Sequence, residues 1–324
     1  MRTLLRLAPF ALALLACSGE SSPASQAAAA PLPPTEATLD VDGGKIWYRV
    51  SGTGTGTPAI LLHGGPGYGS FYLKALEDLG DDRSVVRFDQ LGNGKSDRLT
   101  DTTKMTIAHF VAELDSLRAH LKLERVHLVG HSWGTILGFE YYRAHPGRVA
   151  SLTLMSPALD MAEWERHAND LVKTLSEPAR RAIAAATKAQ KYDSKDYEAA
   201  NGEFMSRYVA RNIQQPDWDS TMATVGMEQY MYFQGPSEFT IVGTLKQYNA
   251  TSHLKDIKVP TLFTVGEFDE ANPVTVRKQA ALVPGAEVVV IDSAAHLTMW
   301  DNRAQTVKAL RGFLRATEAP RSDR

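Results

Sequence analysis

Short apolar runs separated by helical patterns constrain this chain more than any other feature. Residues 58–62, 85–88, 125–129, 149–155, 260–265 and 287–291 form runs of strand length. Continuous apolar segments such as Val126-His-Leu-Val129 and Val288-Val-Val-Ile291 fit strands covered on both faces. Helical patterns occupy about 104–121, 133–145 and 301–316. This alternation predicts an α/β fold with a mostly parallel central sheet and helices on both faces. Residues 38–50 depart from it: apolar runs flank Asp42-Gly43-Gly44, which reads as a hairpin. Gly52-Thr-Gly-Thr-Gly56 precedes a strand and opens no helix, so it reads as a turn and not a phosphate cradle. Residues 157–250 are mostly helical and charged, and interrupt the alternation. They are expected to form a helical cap over the strand ends, where open α/β sheets bind ligands.

Composition excludes several classes of function. The 324 residues carry 35 basic and 37 acidic side chains, a net charge of −2. That balance offers no basic field for a nucleic acid. The single cysteine, Cys17, allows neither an intrachain disulfide nor a Cys-rich zinc site. No run of about 20 apolar residues lies in the body of the chain, so no helix is expected to cross a membrane there.

The N-terminal stretch reads as an address. Two arginines precede the apolar run Leu7-Ala-Pro-Phe-Ala-Leu-Ala-Leu-Leu-Ala16, the pattern of a secretory signal peptide. Leu14-Leu-Ala-Cys17 resembles the lipobox of bacterial lipoproteins, in which the cysteine is lipidated. The expectation is a signal peptide over 1–16, a lipid anchor on Cys17, and export to a membrane facing the periplasm or the cell exterior. The alternative is cleavage near Ala27–Ala30, giving a soluble exported protein. Residues 17–37, rich in Ser, Ala and Pro, then form a flexible tether reaching about 25 Å as a coil. The body divides into a core over 38–156 and 251–316, the cap over 157–250, and a polar tail over 317–324.

The chemistry centres on Gly130-His131-Ser132-Trp133-Gly134, set between an apolar strand and a helix. In this context G-x-S-x-G is a nucleophile elbow, with Ser132 exposed on a sharp turn. A serine hydroxyl needs a base. Of the nine histidines, His296 alone follows a late strand and a short loop and precedes the last helix. Asp269 stands just past the strand 260–265 and can hold the imidazole, with Glu267 and Asp292 as rival acids. The chain order Ser132, Asp269, His296 is the order this sheet requires. Acyl transfer also needs N–H donors for an oxyanion. Trp133 supplies one, and the glycines of His63-Gly-Gly-Pro-Gly67 supply another, Gly65 first and Gly64 second. His63 is read as bracing that loop.

Taken together, His63-Gly-Gly-Pro-Gly67, Phe88-Asp-Gln-Leu-Gly-Asn-Gly-Lys-Ser96, Gly130-His-Ser-Trp-Gly134, Gly266-Glu-Phe-Asp-Glu270 and His296-Leu-Thr-Met-Trp-Asp301 resemble the α/β-hydrolase fold. More narrowly they resemble the proline iminopeptidase family. The late segments and Gly235-Pro-Ser-Glu-Phe-Thr-Ile241 are most similar to its tricorn-interacting aminopeptidase branch. The resemblance implies a serine aminopeptidase that needs no metal or organic cofactor and acts on short peptides or amino-acid amides with a free N-terminus. It implies that Glu238, in the cap, and Glu270, beside Asp269, hold the substrate's α-ammonium. Two carboxylates at a blind end would compensate the desolvated cation and set a one-residue spacing to the attacked carbonyl. The rival readings are an amino-acid amide or ester hydrolase with the same triad, and an inactive lipid-tethered binding protein. Trp164, Tyr230, Tyr232 and Phe233 either line a side-chain pocket or form the core of the lid.

Overall fold

The computed structural model describes residues 31–319. Its strands are β1 (Thr35–Val41), β2 (Gly44–Ser51), β3 (Gly56–Leu62), β4 (Arg83–Asp89), β5 (Val126–His131), β6 (Val149–Met155), β7 (Thr261–Gly266) and β8 (Glu287–Ile291). They form one eight-stranded sheet in the order β1-β2-β4-β3-β5-β6-β7-β8. The hairpin of β1 and β2 turns at Asp42-Gly43, and β2 meets β4 antiparallel. From β4 through β8 every pairing is parallel. Every residue of β5 and β7 is buried, as central parallel strands require when both faces of the sheet are covered.

The helices are α1 (Ile107–His120), α2 (Trp133–Ala144), α3 (Met161–Val172), α4 (Glu177–Ala189), α5 (Lys195–Phe204), α6 (Gln215–Ala223), α7 (Met227–Phe233), α8 (Pro273–Ala280), α9 (Thr298–Asp301) and α10 (Arg303–Glu318). α3 to α7 all fall between β6 and β7 and add no strand to the sheet. A π-helical turn, Met205–Val209, continues α5. Side-chain caps start most of these helices: Asp160, Ser176 and Ser194 each accept from an N–H in the first turn.

Three expectations need correction. β1 begins at Thr35, inside the stretch read as tether. Alternate residues of β1 are half-buried, and Glu36 accepts from Trp47 Nε1 at 3.0 Å, so pairing with β2 overrides the local proline-rich composition. α10 runs to Glu318, inside the stretch read as a polar tail. The Glu318 carboxylate accepts from Thr57 N at 2.7 Å and from Arg83 Nη1 at 2.9 Å, which gives the last turn a tertiary anchor. β8 is not covered on both sides: it is the sheet edge, and Val288, Val289 and Val290 are only half-buried. Cys17 and residues 1–16, the stretch read as a signal peptide, lie outside the described residues.

Candidate active site

The turn between β5 and α2 is built by glycines. A Cβ on Gly130 would stand 2.2 Å from Gly134 O, and one on Gly134 would stand 2.1 Å from Leu62 O. No side chain fits at either position, so strand and helix close tightly around Ser132. Ser132 takes φ 54°, ψ −123°, a strained conformation costing about 1–3 kcal/mol that the packed elbow enforces. Its N–H is anchored on Met155 O at 3.0 Å, and its hydroxyl faces a chamber.

Asp269 and His296 meet as the sequence order required. His296 Nδ1 donates to Asp269 Oδ1 at 2.9 Å, which leaves Nε2 as the free lone pair. Asp269 is buried, and burial pushes its carboxyl up. The His296 charge and the hydrogen bonds from His296, Ser156 and Ala271 N–H together outweigh that push, so the net shift is downward. The rival acids are elsewhere: Glu267 accepts from Ser293 N and Asp292 faces Gln305, both exposed. Ser132 and His296 line the same chamber, but no hydrogen bond joins Ser132 Oγ to Nε2 in this conformation. Nucleophile–base contacts commonly tighten only when substrate arrives.

The oxyanion donors are separated by their existing partners. Gly64 N–H donates to Tyr72 Oη at 2.6 Å and is committed. Gly65 takes φ 100° and lines the chamber beside Ser132, and among the described residues its N–H has no acceptor. Trp133 N–H opens α2, where first-turn donors lack intrahelical acceptors. His63 braces the loop: Nδ1 donates to Gly64 O at 3.0 Å, and Nε2 accepts from Gln90 N at 3.0 Å. Gln90 Oε1 in turn accepts from the Trp133 indole at 2.9 Å.

A second brace was not legible in the sequence. Tyr72 Oη lies 2.9 Å from His131 Nδ1, and His131 Nε2 lies 3.0 Å from His296 O. Because His296 O can only accept, Nε2 carries the proton and Nδ1 accepts from tyrosine. Burial holds the His131 imidazole down to about 3, with the neighbouring His296 adding to the effect. His131 therefore stays neutral and links the oxyanion loop to the backbone of the base. The cap completes the support: Tyr208 O and Val209 O accept from His296 N and Leu297 N at 3.2 and 2.7 Å. Asp301 ties the same loop to the cap, accepting from Ala295 N through one oxygen and from Arg211 N and Asn212 N through the other.

Of the two glutamates only Glu238 lines the chamber; Glu270 stands beside the Asp269–His296 pair, closed off from the chamber. Glu238 accepts from Tyr230 Oη at 2.7 Å and from Gln234 Nε2 at 3.3 Å, and it lines the chamber. Glu270 is fully buried, and neither of its oxygens has a hydrogen-bond partner. Its Oε1 lies 3.9 Å from His296 Nδ1. Burial pushes the Glu270 carboxyl well above its ordinary range, and the charges of Glu238 and Asp269 push it further. Burial raises Glu238 too, against the opposing pull of His296 and Tyr230. Of the cap aromatics, Trp164 lines the chamber, and its indole N–H holds Glu238 O at 3.1 Å. Tyr230 positions Glu238, while Phe233 packs on Trp133 and Phe110 as core.

The chamber has two lobes that meet at Ser132, Gly65 and Glu238. The smaller, about 280 Å³, is walled by Ile136, Ala158, Met161, Trp164 and Leu245. The larger, about 440 Å³ counting its open mouth, also includes His296.

A family model described as the alpha/beta hydrolase fold matches residues 57–303. A proline iminopeptidase of Heyndrickxia coagulans is 37% identical over 283 residues, which span 86% of this chain and 98% of that protein. The chain belongs to the proline iminopeptidase family of α/β-hydrolases. It is a hydrolase. The crystal structure of VinJ superposes with a TM-score of 0.83 at 30% identity, covering 88% of this chain and 100% of that one. That of the Mycobacterium smegmatis proline iminopeptidase gives 0.80 at 30% identity, covering 88% and 99%.

Proposed function

We propose that this hydrolase is a serine aminopeptidase that releases the N-terminal residue of short peptides through an acyl-enzyme. Ser132 attacks the first peptide carbonyl while His296 takes its proton and Asp269 steadies the imidazolium. The N–H groups of Gly65 and Trp133 receive the oxyanion. His296 returns the proton to the departing amine, and water then hydrolyses the ester on Ser132. The observation that carries the reading is Glu270. A fully buried carboxyl with two unpartnered oxygens is costly in a resting structure. It is explained when a substrate ammonium sits between it and Glu238. The relatives named as proline iminopeptidases support the same assignment.

The test compares prolyl- and alanyl-naphthylamides with their N-acetylated forms. Turnover restricted to the free amines is expected. Equal turnover of blocked substrates would remove the ammonium role and leave an amide or ester hydrolase. A fluorophosphonate probe should label wild type and not Ser132→Ala; absence of labelling in folded wild type would indicate a binding protein.

The lipobox resemblance supports export and anchoring through Cys17. The described chain approaches β1 beside Ser84, at the amino-terminal end of β4, with Leu32 N on Ser84 Oγ at 2.8 Å. β1 runs parallel to β4 through their shared partner β2, so this end of the sheet is opposite the elbow. Palmitate labelling that disappears in Cys17→Ala supports anchoring; labelling that persists refutes it.

A further inference from the structure

The two lobes of the chamber differ in one chemically decisive respect: His296 lines the larger lobe and not the smaller. In acyl transfer the C–N bond breaks as the amine takes the proton that His296 first removed from Ser132. The leaving amine must therefore sit on the His296 side. The acyl residue then occupies the smaller lobe, against Trp164 and Met161, with its amino end toward Glu238. This division fixes which walls meet the second residue of the substrate.

Those walls are Tyr68, Tyr72, Met205, Val209, Trp218 and Leu297. No lysine or arginine is among the lining residues, and the one carboxylate is Glu238, at the junction of the lobes. The lysines and arginines within two residues of these walls already have partners. Lys74 lies 3.7 Å from Asp217, Arg207 lies 2.6 Å from Glu203, and Arg211 stacks over Phe268 at 4.2 Å. Trp218 projects from α6, edge-to-face with Trp300 at 6.2 Å, so its indole is supported from behind. Thr221, one turn later on α6, faces the same lobe.

We infer that the larger lobe is a leaving-group subsite selecting an apolar second residue, with Trp218 of the cap as its specificity-determining wall. The inference rests on the aminopeptidase reading and adds what that reading leaves open, the residue after the cleaved bond. An apolar side chain gains by burial against Trp218, Met205 and Leu297. An acidic one loses water, finds no lysine or arginine, and faces Glu238. Expressed in the acylation transition state, the difference is roughly 10- to 100-fold in kcat/KM between leucine and aspartate at this position.

The experiment uses the full chain with dipeptide amides whose first residue is proline or alanine, whichever is cleaved faster. The second residue is varied among leucine, phenylalanine, glycine and aspartate. The expected order of kcat/KM is leucine and phenylalanine above glycine, and glycine above aspartate. Trp218→Ala should lower the leucine-to-glycine ratio about 10-fold by removing most of the apolar wall. Met205→Arg, at a half-buried wall position, should raise aspartate relative to leucine; it keeps the test decisive if Trp218→Ala does not fold. Equal kcat/KM across the series overturns the inference while leaving the aminopeptidase intact. Unchanged ratios in folded Trp218→Ala also overturn it, as does a Met205→Arg protein with no gain toward aspartate. Failure to cleave any of these amides, when the wild type is folded, overturns the aminopeptidase reading and this inference with it.

Discussion

Replacing Glu270 by glutamine should make the protein more stable and the enzyme worse. The carboxyl has an ordinary value of 4.5, and burial together with Glu238 and Asp269 raises it well above that in the fold. Between the two values the native state binds more protons than the unfolded chain, so wild-type stability falls as pH rises. At pH 7 the ceiling on this cost is about 3.4 kcal/mol, from 1.36 kcal/mol per unit over the interval above 4.5. Glutamine has nearly the same shape and no proton to lose, so Glu270→Gln relieves this cost. A gain of about 1–3 kcal/mol corresponds to roughly 2–8 °C in Tm for a chain of this size. The gain should be absent near pH 4.5 and grow toward neutrality. Catalysis moves the other way. A substrate ammonium loses one charged partner, worth about 1.5–3 kcal/mol, or roughly 10- to 150-fold in kcat/KM for free-amine substrates. Thermal melts from pH 4 to 8 and initial rates on prolyl- or alanyl-naphthylamide measure both sides. A lower Tm at pH 7 would show that Glu270 supports the fold, and unchanged kcat/KM would show that it holds no substrate group. Either result refutes the reasoning.

Other perturbations separate the supports of the site. His131→Phe keeps a ring but leaves Tyr72 Oη without its acceptor and His296 O with one donor fewer, so kcat should fall about 10-fold or more with a smaller change in KM. Steady-state kinetics on the folded variant check this, and an unchanged kcat would show that the brace is idle. Asp301→Asn replaces one accepting oxygen with a donor that the three converging N–H groups cannot use. Tm should drop by several degrees, and fluorophosphonate labelling of Ser132 should slow as the His296 loop loosens. Glu318→Gln tests the far pole. Burial works to raise that carboxyl, but hydrogen bonds from His127 and Arg83 and the Arg83 charge bring it down to about 2. A depressed carboxylate stabilises above its unfolded value of 4.5 and loses that contribution as pH falls toward 2. After discounting for partial exposure, Glu318→Gln should cost about 1–2 kcal/mol at pH 7 and progressively less below pH 4.5, read by denaturant melts.

What the sequence disclosed depended on whether a role has a local cause. The elbow was legible because Gly130 and Gly134 answer a steric demand within one turn: a Cβ at either would stand about 2 Å from a backbone oxygen, and no other residue fits. Asp269 and His296 were legible because each follows a strand that ends at the same pole of the sheet, so strand order alone brings them together. Glu267 and Asp292 shared those loops, and only the fold showed them facing solvent. Tyr72 and His131 carried no such signal. A tyrosine in one segment and an imidazole in another have no spacing rule, and their relation exists only once Gly64, Tyr72, His131 and His296 are stacked in space. The ends of the body were misplaced for a related reason. Pro31, Pro33 and Pro34 favour coil locally, but pairing Thr35 with Val50 gives the backbone a ladder that composition does not reveal. Glu270 needed both kinds of information. Motif similarity pointed to the position, whereas its missing hydrogen bonds are a property of the packed interior. A buried carboxylate in a structural role is normally satisfied by its neighbours. One that instead has no hydrogen-bond partner and two further acids close by has its natural complement in a cation brought from outside.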